Sequence, residues 1–178
     1  TSAVDAAGLA CAITLSAGYG SGVMTPGTGL WMNNCLGEVE LNRRGLHAWP
    51  VGARLVSNMA PTVARSDDGA VLAIGSPGAD RITTAILQAF VNHANAGMPL
   101  DEAIAHPRLH VESTDEGPRV AAEPGIGGPV GELPWRYYPG PSMYFGGVGA
   151  VCWSADDGFV AAADPRRAGA TAIVAPEG

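Results

Sequence analysis

Thr62-Val63-Ala64-Arg65, then Ser66-Asp67-Asp68-Gly69, then Ala70-Val71-Leu72-Ala73-Ile74 is the stretch on which the fold turns. Two apolar, partly β-branched runs around a polar turn ending in Asp-Gly predict a hairpin. The second run passes directly into Gly75-Ser76-Pro77-Gly78-Ala79-Asp80. Beyond it, Ile82, Ile86, Ala89, Phe90 and His93 recur at helical spacing as far as Gly97, a natural stop. A second helix is expected over Leu100 to Ala105, where Asp101 and Glu102 favour the dipole of the first turn and Pro107 ends it.

Further hairpins flank this centre. Thr1 to Val4 and Leu9 to Ser16 read as strands around Asp5-Ala6-Ala7-Gly8. The second is almost continuously apolar, the pattern of a strand buried on both faces. Gly18 to Gly29 is a tight loop, Leu30 to Met32 is short and strand-like, and Leu36 to Gly52 is an irregular surface excursion. Leu109 to Glu112 and Arg119 to Ala122 predict another strand pair. Pro124 to Pro141 is Gly- and Pro-rich and reads as loop, despite Trp135, Tyr137 and Tyr138. Met143 to Trp153 and Phe159 to Ala163 predict a last hairpin. Strands, two helices and more strands, joined by hairpins and not by crossovers, imply α+β layers on an antiparallel sheet.

Composition narrows the function. A chain of 178 residues is one domain or a large piece of one. Ten basic residues, all Arg, against 17 acidic ones leave a net charge of -7, which disfavours nucleic-acid binding. With 47% hydrophobic and only 15% charged residues, the chain is not a disordered one. The apolar runs are too short for a transmembrane helix. Cys11, Cys35 and Cys152, odd in number and widely spaced, suit neither a disulfide framework nor a zinc site. His47, His93, His106 and His110 lack metal spacing, so neither metal nor cofactor is expected. The missing disulfide pattern leans toward a cytoplasmic protein.

The candidate chemistry begins at Thr1. A terminal Thr carries a hydroxyl and an amine on adjacent carbons, and an α-amine with a pKa near ~7.7–8.0 can take the hydroxyl proton. The alternative is an arbitrary chain start. Gly75 to Ala79, small residues between strand and helix, can aim backbone N–H groups at an oxyanion or serve as a tight connection. Ser57-Asn58 before a strand, and Asn33-Asn34-Cys35 with Glu38 after one, are polar clusters that suit a pocket wall or a solvated loop. Cys35 has no His near it in sequence to make it a nucleophile.

These fragments occur in an order that resembles the small subunit of γ-glutamyltranspeptidases, which are N-terminal nucleophile hydrolases. The order is Thr1 and a hairpin, Gly20-Ser21-Gly22-Val23, Pro26-Gly27-Thr28-Gly29, Asn33-Asn34, Ser57-Asn58-Met59-Ala60-Pro61-Thr62, Gly75-Ser76-Pro77-Gly78-Ala79-Asp80-Arg81-Ile82, Ala105-His106-Pro107-Arg108, Tyr144-Phe145-Gly146-Gly147-Val148 and Ala163-Asp164-Pro165-Arg166-Arg167. The resemblance implies an αββα sandwich over residues 1–178, completed by a large subunit cut from the same precursor immediately before Thr1, and a possible dimer of such heterodimers. Thr1 would attack a carbonyl, with its own amine as base. Ser16 would bond the nucleophile, Gly78 and Ala79 would supply oxyanion N–H groups, and Ser57 with Asn58 would hold the carboxylate of a small amino-acid-derived substrate. The chain departs from the pattern at Gly18, where Asn is usual, at Cys35, where Gln is usual, and at Glu38, which stands for an Asp that binds the substrate amine. A short loop after Asn34 implies an open pocket and hydrolysis over transfer. The readings are a γ-glutamyl or related amidase; a C–C bond hydrolase like those of actinobacterial lincomycin and pyrrolobenzodiazepine pathways, which release an oxalyl-type fragment; a cephalosporin-acylase-like amidase; and a non-enzymatic binding module.

Overall fold

The computed structural model describes residues 1–39, 41–128 and 131–174. At its centre β3 (Thr62–Arg65) and β4 (Val71–Gly75) pair antiparallel, Thr62 opposite Ile74. Gly69, at φ 92, closes the turn between them. β8 (Gly149–Ser154) joins the other side of β4 and β9 (Gly158–Ala163) joins β8, giving one antiparallel sheet in the order β3-β4-β8-β9. Between β4 and β8 the chain forms α1 (Ile82–Ala94), α2 (Leu100–Ala105), β5 (Leu109–Thr114), β6 (Gly117–Ala122) and β7 (Trp135–Tyr137).

The alternation of β4 sets the layers. Leu72 and Ile74 point to one face and meet Ile82, Ala85, Ile86 and Ala89 of α1, Leu100 and Ile104 of α2, and Val148, Ala150 and Ala162. Full burial of each large aliphatic side chain here is worth roughly 1.5–3 kcal/mol. The opposite face of the sheet carries a two-stranded hairpin, β1 (Ser2–Val4) and β2 (Ala10–Ala12). Asp5 builds its turn, accepting from the Ala7 and Leu9 amides at 2.9 Å each. Ser2 Oγ donates to Gly149 O at 3.3 Å, tying the hairpin to β8. Helices, sheet and hairpin make the α, β and β layers of the expected α+β sandwich.

Four local expectations change, one of them at Met143–Phe145, expected as the start of a strand and found as a one-turn 3-10 helix ahead of β8. The strand expected over Leu9 to Ser16 shortens to Ala10–Ala12, with Ile13 still bonded to Thr1, and it is covered on one face only. Its other face, Leu9, Cys11, Ile13 and Leu15, lies open, with Leu15 89% exposed. A continuous apolar run marks two faces that avoid water, and this chain supplies the cover for one of them. Trp135–Tyr137, read as loop, is a strand parallel to β6, itself antiparallel to β5. Leu30 to Met32 reduces to one bridge, Met24 to Trp31. Helix α1 caps on Asn95, with Gly97 at φ 69 two residues on. Among the described residues no helix is long and apolar enough to cross a membrane.

Candidate functional site

Thr1 lies at the end of β1, exposed, in register with Ile13: the Thr1 ammonium donates to Ile13 O at 2.8 Å, and the Ile13 amide donates back to Thr1 O at 2.8 Å. The nucleophile candidate is thus held by the backbone of the strand that continues to Ser16. It opens on a cleft of 370 Å³, whose lining includes Ser2, Thr14, Gly75, Ser76 and Arg167.

A second, smaller cavity of 110 Å³ adjoins it, and both are lined by Thr14, Leu15 and Pro77. This smaller cavity gathers the other candidates. Ser16 comes from the extension of β2, Glu38 from the end of a one-turn 3-10 helix (Cys35–Gly37), Ser57 and Asn58 from the segment before β3, and Gly78 and Ala79 from the turn after β4. Cys35 and Gly18 stand behind Glu38: the Cys35 thiol is close enough to feel the Glu38 carboxylate, and a Cβ on Gly18 would lie 2.6 Å from Glu38 Oε1. Thr1 is absent from the lining of this second cavity. Thr14 is the hydroxyl that joins the two spaces, and sequence reasoning missed it; its place two residues before Ser16, on the same strand face, was the available signal.

The turn after β4 is strained in a definite way. Gly78 has φ 137, and a Cβ there would lie 2.9 Å from Gly146 Cα. Ala79 has φ 52, in the left-handed region that Ala seldom enters. Ser76, 3% exposed, fixes the turn from below: its hydroxyl donates to Pro77 O at 2.7 Å and accepts from Gly147 N at 3.1 Å. Ala79–Arg81 form a short 3-10 turn that leads into α1. The outcome is a backbone bend braced against Gly146 and Gly147, with strain of the kind that clusters at functional sites.

That glycine pair is itself anchored by buried charge. Arg108, 1% exposed, pairs with Asp164 at 2.7 Å and donates to Phe145 O at 3.0 Å. Asp164 also pairs with Arg166 at 3.1 Å and accepts from Val148 N at 2.8 Å. Arg166 in turn holds Glu123, which accepts from the Arg108 amide at 2.9 Å. Two guanidiniums and two carboxylates thus cancel one another and clamp the chain on both sides of Gly146 and Gly147. Burial pushes the Arg108 guanidinium below its ordinary pKa, against the pull of Asp164.

Among the described residues, Glu38 is the only ionisable side chain lining the smaller cavity, and it is 8% exposed. Burial, and then the neighbouring Glu38 carboxylate, push the Cys35 thiol above its ordinary pKa, so it is a poor nucleophile. His93 turns to Met98 O at 2.8 Å and serves the end of α1. Among the described residues no group of His, Cys, Asp and Glu is arranged to hold a metal ion.

Comparison with known proteins gives the same direction. The chain is 35% identical over 95 residues to the glutathione hydrolase proenzyme of Bacillus subtilis (strain 168), covering 53% of this chain and 16% of that protein. It is 30% identical over 161 residues to the acylase ACY 1 proenzyme of Pseudomonas sp. (strain V22), covering 80% of this chain and 28% of that protein. The chain therefore matches well under a third of the length of these relatives. Its structure aligns with a Helicobacter pylori γ-glutamyltranspeptidase mutant at a TM-score of 0.72 and 27% identity, over 94% of this chain and 98% of that one. The sequence profile described as Gamma-glutamyltranspeptidase matches residues 1–174. This chain belongs to the γ-glutamyltranspeptidase family, whose members are hydrolases and transferases.

Proposed function

We propose that the chain is the catalytic part of an N-terminal threonine hydrolase that cleaves an acyl bond in an amino-acid-derived substrate. The observation that carries this reading is convergence. Ser16, Glu38, Ser57, Asn58, Gly78 and Ala79 come from four separate segments to one small cavity, and that cavity shares Thr14, Leu15 and Pro77 with the cleft that holds Thr1.

In this reading the substrate acyl group occupies the smaller cavity, and its carbonyl lies between Thr1 and the bend at Gly78 and Ala79. The Thr1 hydroxyl attacks the carbonyl carbon and gives its proton to the Thr1 amine, which must be in its neutral form. The negative charge on the carbonyl oxygen is met by the N–H groups of the bend, and these cost no reorganisation because Ser76 and Gly146 already hold them. Collapse expels the leaving amine, which takes the proton. Water then attacks the acyl-enzyme and restores Thr1. The short loop after Asn34 gives the site no long cover from this chain, and this supports hydrolysis over transfer.

The partner is a large subunit from the same precursor, laid over the open face of Leu9, Cys11, Ile13 and Leu15. Tyr19, Leu30 and Leu46, later in the chain, stand 75%, 65% and 64% exposed, an amount of apolar surface that a lone chain seldom leaves uncovered. That the matched relatives are named proenzymes supports this arrangement. An acylase reading is the second candidate, because the similarity to the Pseudomonas acylase extends over 80% of the chain. Steady-state assay of the processed protein with γ-glutamyl-p-nitroanilide, with and without a dipeptide acceptor, tests the proposal. Turnover with little acceptor stimulation is expected; strong stimulation contradicts the open-site argument.

A further inference from the structure

Arg81 ties together the two sides of the bend at Gly78 and Ala79. Its amide donates to Gly78 O at 3.0 Å and closes the turn through Ala79. Its side chain crosses to the other side. There Nε donates to Tyr144 O at 3.1 Å, two residues before Gly146, whose Cα stands 2.9 Å from where a Cβ on Gly78 would lie. The guanidinium also holds the Asp80 carboxylate, and its Cζ lies 4.5 Å from the centre of the Tyr144 ring. One residue thus bonds both halves of a turn in which Gly78 has φ 137 and Ala79 has φ 52. Backbone in such regions persists only where its surroundings over-determine it.

Beneath Arg81 the stack continues. The Tyr144 ring lies on Tyr138 with centroids 5.0 Å apart, and the Arg136 guanidinium covers Tyr138 at 4.7 Å. Phe145 meets both tyrosine rings edge-on, its centroid 5.0 Å from each. Glu112 of β5 accepts from the Tyr144 hydroxyl at 2.6 Å and pairs with Arg119 of β6. Tyr138, which follows β7, donates its amide to Ala122 O at the end of β6 at 2.8 Å. The three-stranded sheet therefore holds the ring on which Arg81 rests. Among the described residues, the sheet itself supplies no lining residue to either cavity.

We propose that Arg81 is a positioning residue for the reaction: it holds the Gly78 and Ala79 amides where the carbonyl oxygen meets them, and the aromatic stack on β5, β6 and β7 is its support. This rests on the hydrolase reading above and adds to it a residue that does not touch substrate. Arg81 lines neither cavity, so its effect passes through the bend.

The test uses the processed two-chain enzyme and γ-glutamyl-p-nitroanilide, with kcat referred to the folded protein recovered by gel filtration. Arg81→Met keeps an apolar stem and removes both the Nε donor and the charge. It is expected to lower kcat by at least ~10-fold, since a shift near 1 Å at a positioning group costs about 10²-fold. KM is expected to stay within about threefold, because formation and hydrolysis of the acyl-enzyme use the same bend and slow together. A merely structural role would lower the Tm and the yield of folded enzyme while leaving kcat unchanged. Combining Arg81→Met with Gly78→Ala is expected to cost little more than the worse single change, since both displace the same amides. If Arg81→Met is not cleaved into two chains, Arg81→Lys takes its place. Its ammonium lacks the fixed fork of a guanidinium, and a kcat loss of about 3–10-fold at unchanged KM is expected. A kcat within about twofold of wild type in the variant assayed, or losses that multiply in the double variant, overturns the positioning role. A wild-type precursor that fails to cleave itself, or cleaves without turnover, counts instead against the hydrolase reading.

Discussion

Gly78→Ala probes the bend after β4 with a single methyl. The added Cβ would lie 2.9 Å from Gly146 Cα, a backbone atom, while carbon atoms rest at about 3.5–4.0 Å, so one strand of the bend must move by roughly 0.6–1.1 Å. Gly146 cannot yield freely, because a Cβ at that position would itself meet Ser76 Oγ at 2.8 Å, and because the Arg108 and Arg166 clamp holds the chain on either side. The displacement therefore falls largely on the Gly78 and Ala79 amides. A shift near 1 Å at a positioning group costs about 10²-fold in rate, or roughly 2.7 kcal/mol of transition-state stabilisation. The φ of 137 adds backbone strain for any side chain. Ala79→Gly is the contrasting change: it removes a methyl from a residue at φ 52 and should leave kcat within a few-fold while stabilising the fold by up to ~1 kcal/mol. The assay is kcat on a γ-glutamyl anilide, together with the rate of precursor cleavage by intact mass, since both use the same bend. Gly78→Ala turning over within about fivefold of wild type would refute the claim that this bend positions the reacting carbonyl.

Other perturbations read other parts of the structure. Asp164→Asn leaves Arg108 and Arg166 facing Glu123 alone, and loss of about 3–5 kcal/mol in chemical denaturation is expected; a loss below ~1 kcal/mol would mean the clamp is not a structural brace. Burial, ahead of the pull of Asp80 at 4.0 Å, pushes the His110 imidazole below its ordinary pKa, with Arg81, Glu112 and the Thr84 hydroxyl also facing it. The unfolded chain then binds a proton that the folded chain does not, so stability should fall as pH drops through about 6.5. His110→Gln should flatten that part of the Tm–pH curve, and an unchanged slope would remove His110 as its source. Gly18→Asn alone should impair the enzyme, whereas pairing it with Glu38→Asp should recover part of the loss. A double-mutant cycle with coupling near zero would show that the two positions do not share space.

What the sequence disclosed, and what it withheld, follows from the range of the interactions. The hairpin β3–β4, α1 and α2 were legible because each is signalled by neighbours: Ser66 to Gly69, the recurrence of Ile82, Ile86 and Ala89, and the stop at Pro107. Strand β7 was not, because Trp135–Tyr137 pairs parallel with Val120–Ala122 and no local turn announces such a partner. The open face of β2 was invisible for a related reason. An apolar run reveals that a surface is to be covered and not whether the same chain covers it. At the site, residue types and their order picked out Ser16, Glu38, Ser57, Asn58, Gly78 and Ala79, but their common cavity is a three-dimensional fact. Gly18 and Glu38 appeared in sequence as two separate departures. Only the 2.6 Å between a Cβ at one and the carboxylate of the other shows them to be one.

The central claim is that Thr1 is the residue on which acyl chemistry occurs. Its most direct test is intact-mass analysis and N-terminal sequencing of the full precursor, wild type and Thr1→Ala, followed by mass analysis of the smaller fragment after mixing with a γ-glutamyl anilide. Wild type is expected to yield a fragment beginning at Thr1 that gains the mass of the acyl group on that residue, and Thr1→Ala to stay whole and unlabelled. A Thr1→Ala protein that is cut and acylated like wild type would contradict it.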